Sequence, residues 1–110
     1  MKLRMFARVG VISATGKKRT RNVNAKRPCG SLNELVRRFE YNLRFVSDPK
    51  LRSIRIDVRC PPTDPELKEF ENDEDGDFAW QHDPQLSAQV ADVLKTNHPD
   101  LMVTVGHVAV

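Results

Sequence analysis

"DFAWQHDP", Asp77 to Pro84, is the stretch on which the fold turns. Phe78, Trp80 and His82 recur at every second position, the spacing of a strand with one buried face. Asp83 then reads as a helix N-cap and Pro84 as the first helical residue, where a missing N–H costs little. Read as a strand, Phe78 to His82 is the third of four; read as a loop, it leaves three strands beside two helices. Downstream, Leu86, Val90, Val93 and Leu94 form the apolar stripe of the helix that follows. "LMVTVGHVAV" closes the sequence as a final strand, with Leu101, Val103 and Val105 opposite Met102, Thr104 and Gly106. Upstream, "LRSIRIDVRC" alternates Ile54, Ile56, Val58 and Cys60 with Ser53, Arg55, Asp57 and Arg59, and is a half-buried strand bounded by the turn at Ser47 to Lys50 and by "PPTDP". "SLNELVRRFEYNLRFV" starts on Ser31 with Glu34 three residues later, the reciprocal capping box. Its Leu32, Leu35, Val36, Phe39 and Leu43 fall on one helical side. The first strand, Lys2 to Ile12, sets Leu3, Met5, Ala7, Val9 and Val11 against Lys2, Arg4, Phe6, Arg8 and Gly10.

The expected order is therefore βαββαβ in a single α+β domain spanning residues 1–110, with residues 13–30 as a long basic loop or arm between the first strand and the first helix. That order resembles the ferredoxin-like fold, a sandwich in which two helices cover one face of a four-stranded antiparallel sheet. The resemblance is one of topology and names no activity. It implies that the first and third strands are neighbours at the centre of the sheet.

The formal net charge of +3 conceals a division. Residues 1–60 carry sixteen Lys or Arg and four acidic residues, a balance of +12, whereas residues 61–110 carry two Lys and eleven acidic residues, a balance of −9. Ala14 to Pro28 holds six positive charges and no negative one, and the acidic loop at 66–77 holds seven carboxylates around one Lys. A contiguous basic surface attracts polyanions unless folding lays the acidic segment over it.

Two binding readings follow. In the first, Phe6 and Trp80 form an exposed aromatic pair on the sheet, ringed by Arg4, Arg8, Arg55 and Arg59, while Lys17, Lys18, Arg19, Arg21, Lys26 and Arg27 track a phosphate backbone. Rings flanked by guanidinium groups suit RNA or single-stranded DNA, because any base stacks on a ring while Arg neutralises phosphate. Such a face looks like the binding surface of RNA-recognition modules, although their basic and aromatic consensus strings are absent. In the second, Asp73, Glu74, Asp75 and Asp77 engage the basic groove of a protein partner, making the chain an inhibitor or assembly factor. An unpaired strand edge adds homodimerisation to the expected partners.

Enzymatic readings find little support. "ATGKK" lacks the Gly-rich segment of a phosphate-binding loop, and "NDEDGD" lacks the twelve-residue register of a calcium loop. His82, His98 and His107 have no metal-ligand spacing. Cys29 and Cys60 read as free thiols, Cys60 the more buried, and Cys29 stands near a helix start and positive charges that lower a thiol pKa. No catalytic residue, metal or cofactor is expected. No run of eighteen apolar residues occurs, so no membrane association is expected and the chain is placed in the cytoplasm.

Overall fold

The computed structural model describes residues 2–46, 50–73 and 75–109. The expected turn at Ser47 to Lys50 lies largely outside them, as does Glu74. The fold is α+β, a mixed six-stranded sheet with two helices. Strand β1 (Leu3–Ile12) is central and antiparallel to β4 (Lys50–Cys60), and the apolar alternation of both strands faces the helices. Leu3, Met5, Ala7, Val9 and Val11 from β1 and Ile54, Ile56 and Val58 from β4 are the floor of the core.

Helix α1 (Leu32–Leu43) begins as its sequence dictates. Ser31 Oγ accepts the Glu34 N–H at 3.2 Å, and Glu34 accepts from the Gly30 amide at 3.3 Å, one residue before the expected reciprocal bond. Leu35, Val36 and Phe39 are its buried residues. Helix α2 (Pro84–Asn97) is capped by Asp83, which accepts from the Leu86 N–H at 2.9 Å. It buries Ser87, Val90, Ala91 and Leu94, while Val93, expected in the stripe, is exposed.

Residues 13–30 are not a loop. Ser13 to Lys17 form a turn in which Gly16 takes φ +82°, a conformation that suits a residue without Cβ. Strand β2 (Lys18–Asn22) then returns antiparallel to the distal half of β1, and β3 (Ala25–Cys29) continues along the same edge beside its proximal half. The physical reason is that β1 is ten residues long and its second edge needs backbone partners. These two strands supply them.

The ferredoxin-like order is not the one this sheet adopts. The neighbour of β1 is β4, and the two run antiparallel. Gly76–Ala79 curl into a 3-10 turn that includes Phe78, leaving only β5 (Gln81–His82) to pair, and it pairs with the end of β4. The last strand, β6 (Met102–Val105), lies parallel to residues 53–56 of β4 after crossing through α2. Between β5 and β6 the edge of β4 is completed by the helix start. Ser87 Oγ accepts the buried Val58 N–H at 2.8 Å, and the Asp83 amide donates to the Val58 carbonyl at 2.8 Å. Among the described residues no helix is long and apolar enough to cross a membrane.

Candidate functional site

The sheet face opposite the helices is divided across its length. Its register places Arg4 opposite Arg59, Phe6 opposite Asp57, Arg8 opposite Arg55 and Gly10 opposite Ser53. The first two rows are covered and the last two are open.

Asp57 organises the covered end. Its carboxylate has no exposed surface and accepts from Arg59 at 2.8 and 3.0 Å, from the Val108 amide at 2.9 Å and, at 2.7 Å, pairs with His82 Nδ1. Arg59 in turn donates to the Val108 carbonyl at 2.7 Å, so the segment after β6 is strapped over the sheet by two side chains. Burial pushes the Asp57 carboxyl up, but the bonds from Arg59, Val108 and His82 together outweigh it and hold its pKa below the ordinary value. Phe6 lies beneath the Arg59 guanidinium, 4.3 Å from ring centroid to Cζ. Trp80 lies against Arg4 at 4.2 Å and donates its indole N–H to the Glu71 carbonyl. Asp77 bridges Arg4 at 3.2 Å and Lys26 at 2.7 Å.

These contacts change the reading of the aromatic sheet face. Phe6 and Trp80 are buried, so neither ring offers a free side to a base. Arg4 and Arg59 are buried and paired, and Lys26 is engaged by Asp77. Phe78 packs against Phe70, with ring centroids 5.1 Å apart, rather than against Phe6. The acidic loop contributes Asp77 to this interior arrangement and leaves Asp73 and Asp75 exposed. The cysteine expectation also reverses. Cys29 is the buried thiol and Cys60 is partly exposed. Burial raises both thiol pKa values, that of Cys29 despite Arg38 and Arg27 nearby.

The open end keeps its charges. Arg8 and Arg55 are exposed, and Arg8 donates to Thr20 Oγ1 at 3.2 Å. All five residues of β2 are exposed, which sets Lys18, Arg19 and Arg21 along the sheet edge, with Lys17 in the turn beside them. None of these six cations meets a carboxylate among the described residues. A groove of about 940 Å³ opens here, lined by Gly10, Ile12, Lys18, Arg52, Ser53 and Met102, with Asp100 also in its wall. Glycine at position 10 suits this floor, because a Cβ there would run into the Ser53 hydroxyl.

A second basic surface joins Lys26 and Arg27, expected from the sequence, to Arg37 and Arg38, which lie off the apolar stripe of α1; the ring of Tyr41 beside them was not expected. A groove of about 370 Å³ lies between β3 and α1, bounded by Lys26, Arg27, Arg37, Arg38, Tyr41 and Asn42. The signal in the sequence is that Tyr41 lies off the Leu32–Leu43 stripe, so its ring has no place in the core. Among the described residues no three His, Cys, Asp or Glu side chains gather as a metal-holding group. The chain matches no protein-family model, no curated protein and no solved structure.

Proposed function

We propose that the protein is a non-enzymatic nucleic-acid-binding module, and that the open end of the sheet with the β2 edge receives the phosphate backbone of RNA or single-stranded DNA. The observation that carries this reading is the Arg8–Arg55 cross-strand pair, two guanidinium groups opposite each other in register. Neither has a carboxylate partner among the described residues. Like charges directly opposite on a sheet are destabilising. An anion seated between them relieves that cost; Lys18 stands on the same side of the sheet, and Lys17, Arg19 and Arg21 add positive field at the edge, the two arginines from its helix side. Side chains on fixed strands hold this array in place without ordering a flexible arm.

The test is fluorescence anisotropy of labelled RNA, single-stranded DNA and duplex DNA across a salt series. Wild type is compared with a triple variant carrying Lys18→Glu, Arg19→Glu and Arg21→Glu. Affinity falls with salt for the wild type, and the log–log slope shrinks by roughly 2 in the variant, at about 0.7 for each single-strand phosphate that is no longer neutralised. A folded variant that binds as the wild type does removes the edge from the interface. Recovery instead of a nuclease-resistant protein partner, released by charge reversal at Asp73 and Asp75, favours the inhibitor or assembly-factor reading.

A further inference from the structure

Helix α1 turns two aromatic rings outward. Tyr41 is 57% exposed and Phe45, just past the helix, 69% exposed. The rings meet edge to face with centroids 5.5 Å apart, and the Arg44 guanidinium stands 5.8 Å from the Tyr41 ring. The helix already buries Leu35, Val36 and Phe39 toward the sheet, so the exposed face of Tyr41 is not needed by the core. Beside it runs the groove of about 370 Å³ between β3 and α1. Asn42 donates to the Asn24 carbonyl at 2.8 Å and ties the helix to the chain entering β3. Arg27 and Arg37 in the groove wall have no carboxylate partner among the described residues, while Arg38 is held by Glu34 at 2.7 Å.

The charges of this groove continue those on the helix side of the β2 edge. Strands β2 and β3 follow each other along one edge of β1; Arg19 and Arg21 stand opposite Val11 and Val9 and so share the helix side of the sheet with the groove that Arg27 lines, while Lys18, opposite Ile12, belongs to the other side. At about 3.3 Å per residue the line from Arg19 to Arg27 extends roughly 26 Å. Cations at intervals with exposed rings at one end are what an unpaired strand needs, phosphates on the charges and bases on the rings. A duplex has its base faces occupied by neighbouring bases and has nothing to lay on Tyr41.

We infer that Tyr41, backed by Phe45, is a stacking site for an unpaired base of RNA or single-stranded DNA whose phosphates follow the β2–β3 edge. This rests on the nucleic-acid reading above and specifies its ligand as a single strand. The site spans about 4–6 nucleotides, near the short limit for sequence-tolerant single-strand binders.

The experiment measures binding of a labelled hexanucleotide and of a duplex at fixed salt for wild type, Tyr41→Ala, Tyr41→Phe and Phe45→Ala. Tyr41→Ala is expected to weaken hexanucleotide binding about 5- to 150-fold, the range of one lost base–aromatic stack. Its salt slope stays at the wild-type value because no charge is removed, Tyr41→Phe retains the affinity, and duplex binding is unchanged. Emission from Trp80, the only tryptophan and buried, reports that each variant is folded. Wild-type affinity in Tyr41→Ala, with the charge-reversed β2 variant still weakened, overturns the stacking site alone. Absence of binding to every nucleic acid by the wild type overturns the stacking site together with the function on which it rests.

Discussion

Arg4 faces Arg59 and Arg8 faces Arg55 on the same two strands and the same side of the sheet, with one row between them. The first pair is buried, compensated by Asp77 and Asp57, and laid against Trp80 and Phe6. The second is open to solvent, with the Thr20 hydroxyl as the partner of Arg8. Residue type, strands and sheet face are the same in both rows, so the difference in burial comes from what covers them. Two carboxylates and a returning chain convert one arginine row into structure. The absence of such cover leaves the other row exposed to solvent.

The largest effect separating the two rows is in stability. Arg59→Ala leaves the buried Asp57 carboxylate without its main partner, and the unfolding free energy in urea is expected to fall by about 3–5 kcal/mol, as for a broken buried ion pair. A loss within 0.5 kcal/mol would show that the covered row contributes no more than the open one.

Acid sharpens the same contrast. Asp57 has a depressed pKa in the folded protein, so its contribution is fully present above the unfolded-state value of about 3.9 and is lost as pH falls through the folded value. A melting series below about pH 4 should show this loss in the wild type and a smaller one in Asp57→Asn, measured against each protein's own neutral-pH stability. Equal acid sensitivity in the two proteins would assign the effect to other carboxylates.

The smallest effect on stability is expected at the open row. Arg55→Ala removes one of two opposed charges, so stability stays the same or rises by about 0.2–1 kcal/mol, while polyanion affinity and its salt slope decline. Both quantities come from one sample, by urea titration and anisotropy. Destabilisation of several kcal/mol at Arg55 would show that the open row is structural after all.

Much of this architecture is legible in the residues, and the exceptions have identifiable causes. Helix α1 is announced by Ser31 and its Leu32–Leu43 stripe, and α2 by Asp83 and Pro84. Strands β1 and β4 are announced by alternation, because one face of each packs on the helices along its whole length. Strand β2 carries no such signal. "KRTRN" is exposed on both sides, so nothing apolar marks its period. Strand β3 buries only Ala25 and Cys29 and contains a proline. "DFAW" does alternate, but Trp80 is held by Arg4 and the Glu71 carbonyl rather than by a ladder, and its neighbours coil. The site divides in the same way. The excess of cations was plain, but which of them are neutralised depends on Asp77 meeting Arg4 across 73 positions of chain. No local pattern records that meeting.

The parallel union of β6 with β4 has a kinetic side as well. The hairpin of β1 and β2 closes through near neighbours, whereas Ile54 and its partner Val103 are 49 positions apart, with α2 between them. Pairings separated by long stretches of chain carry the larger loop-closure cost and form late. A chain in which α2 and β6 have not yet docked would present the far edge of β4 as bare amides and carbonyls, the Val58 N–H that Ser87 accepts among them. Such an edge is a template for pairing with a neighbouring chain, and in the folded protein it is the start of α2 together with β6 that closes it.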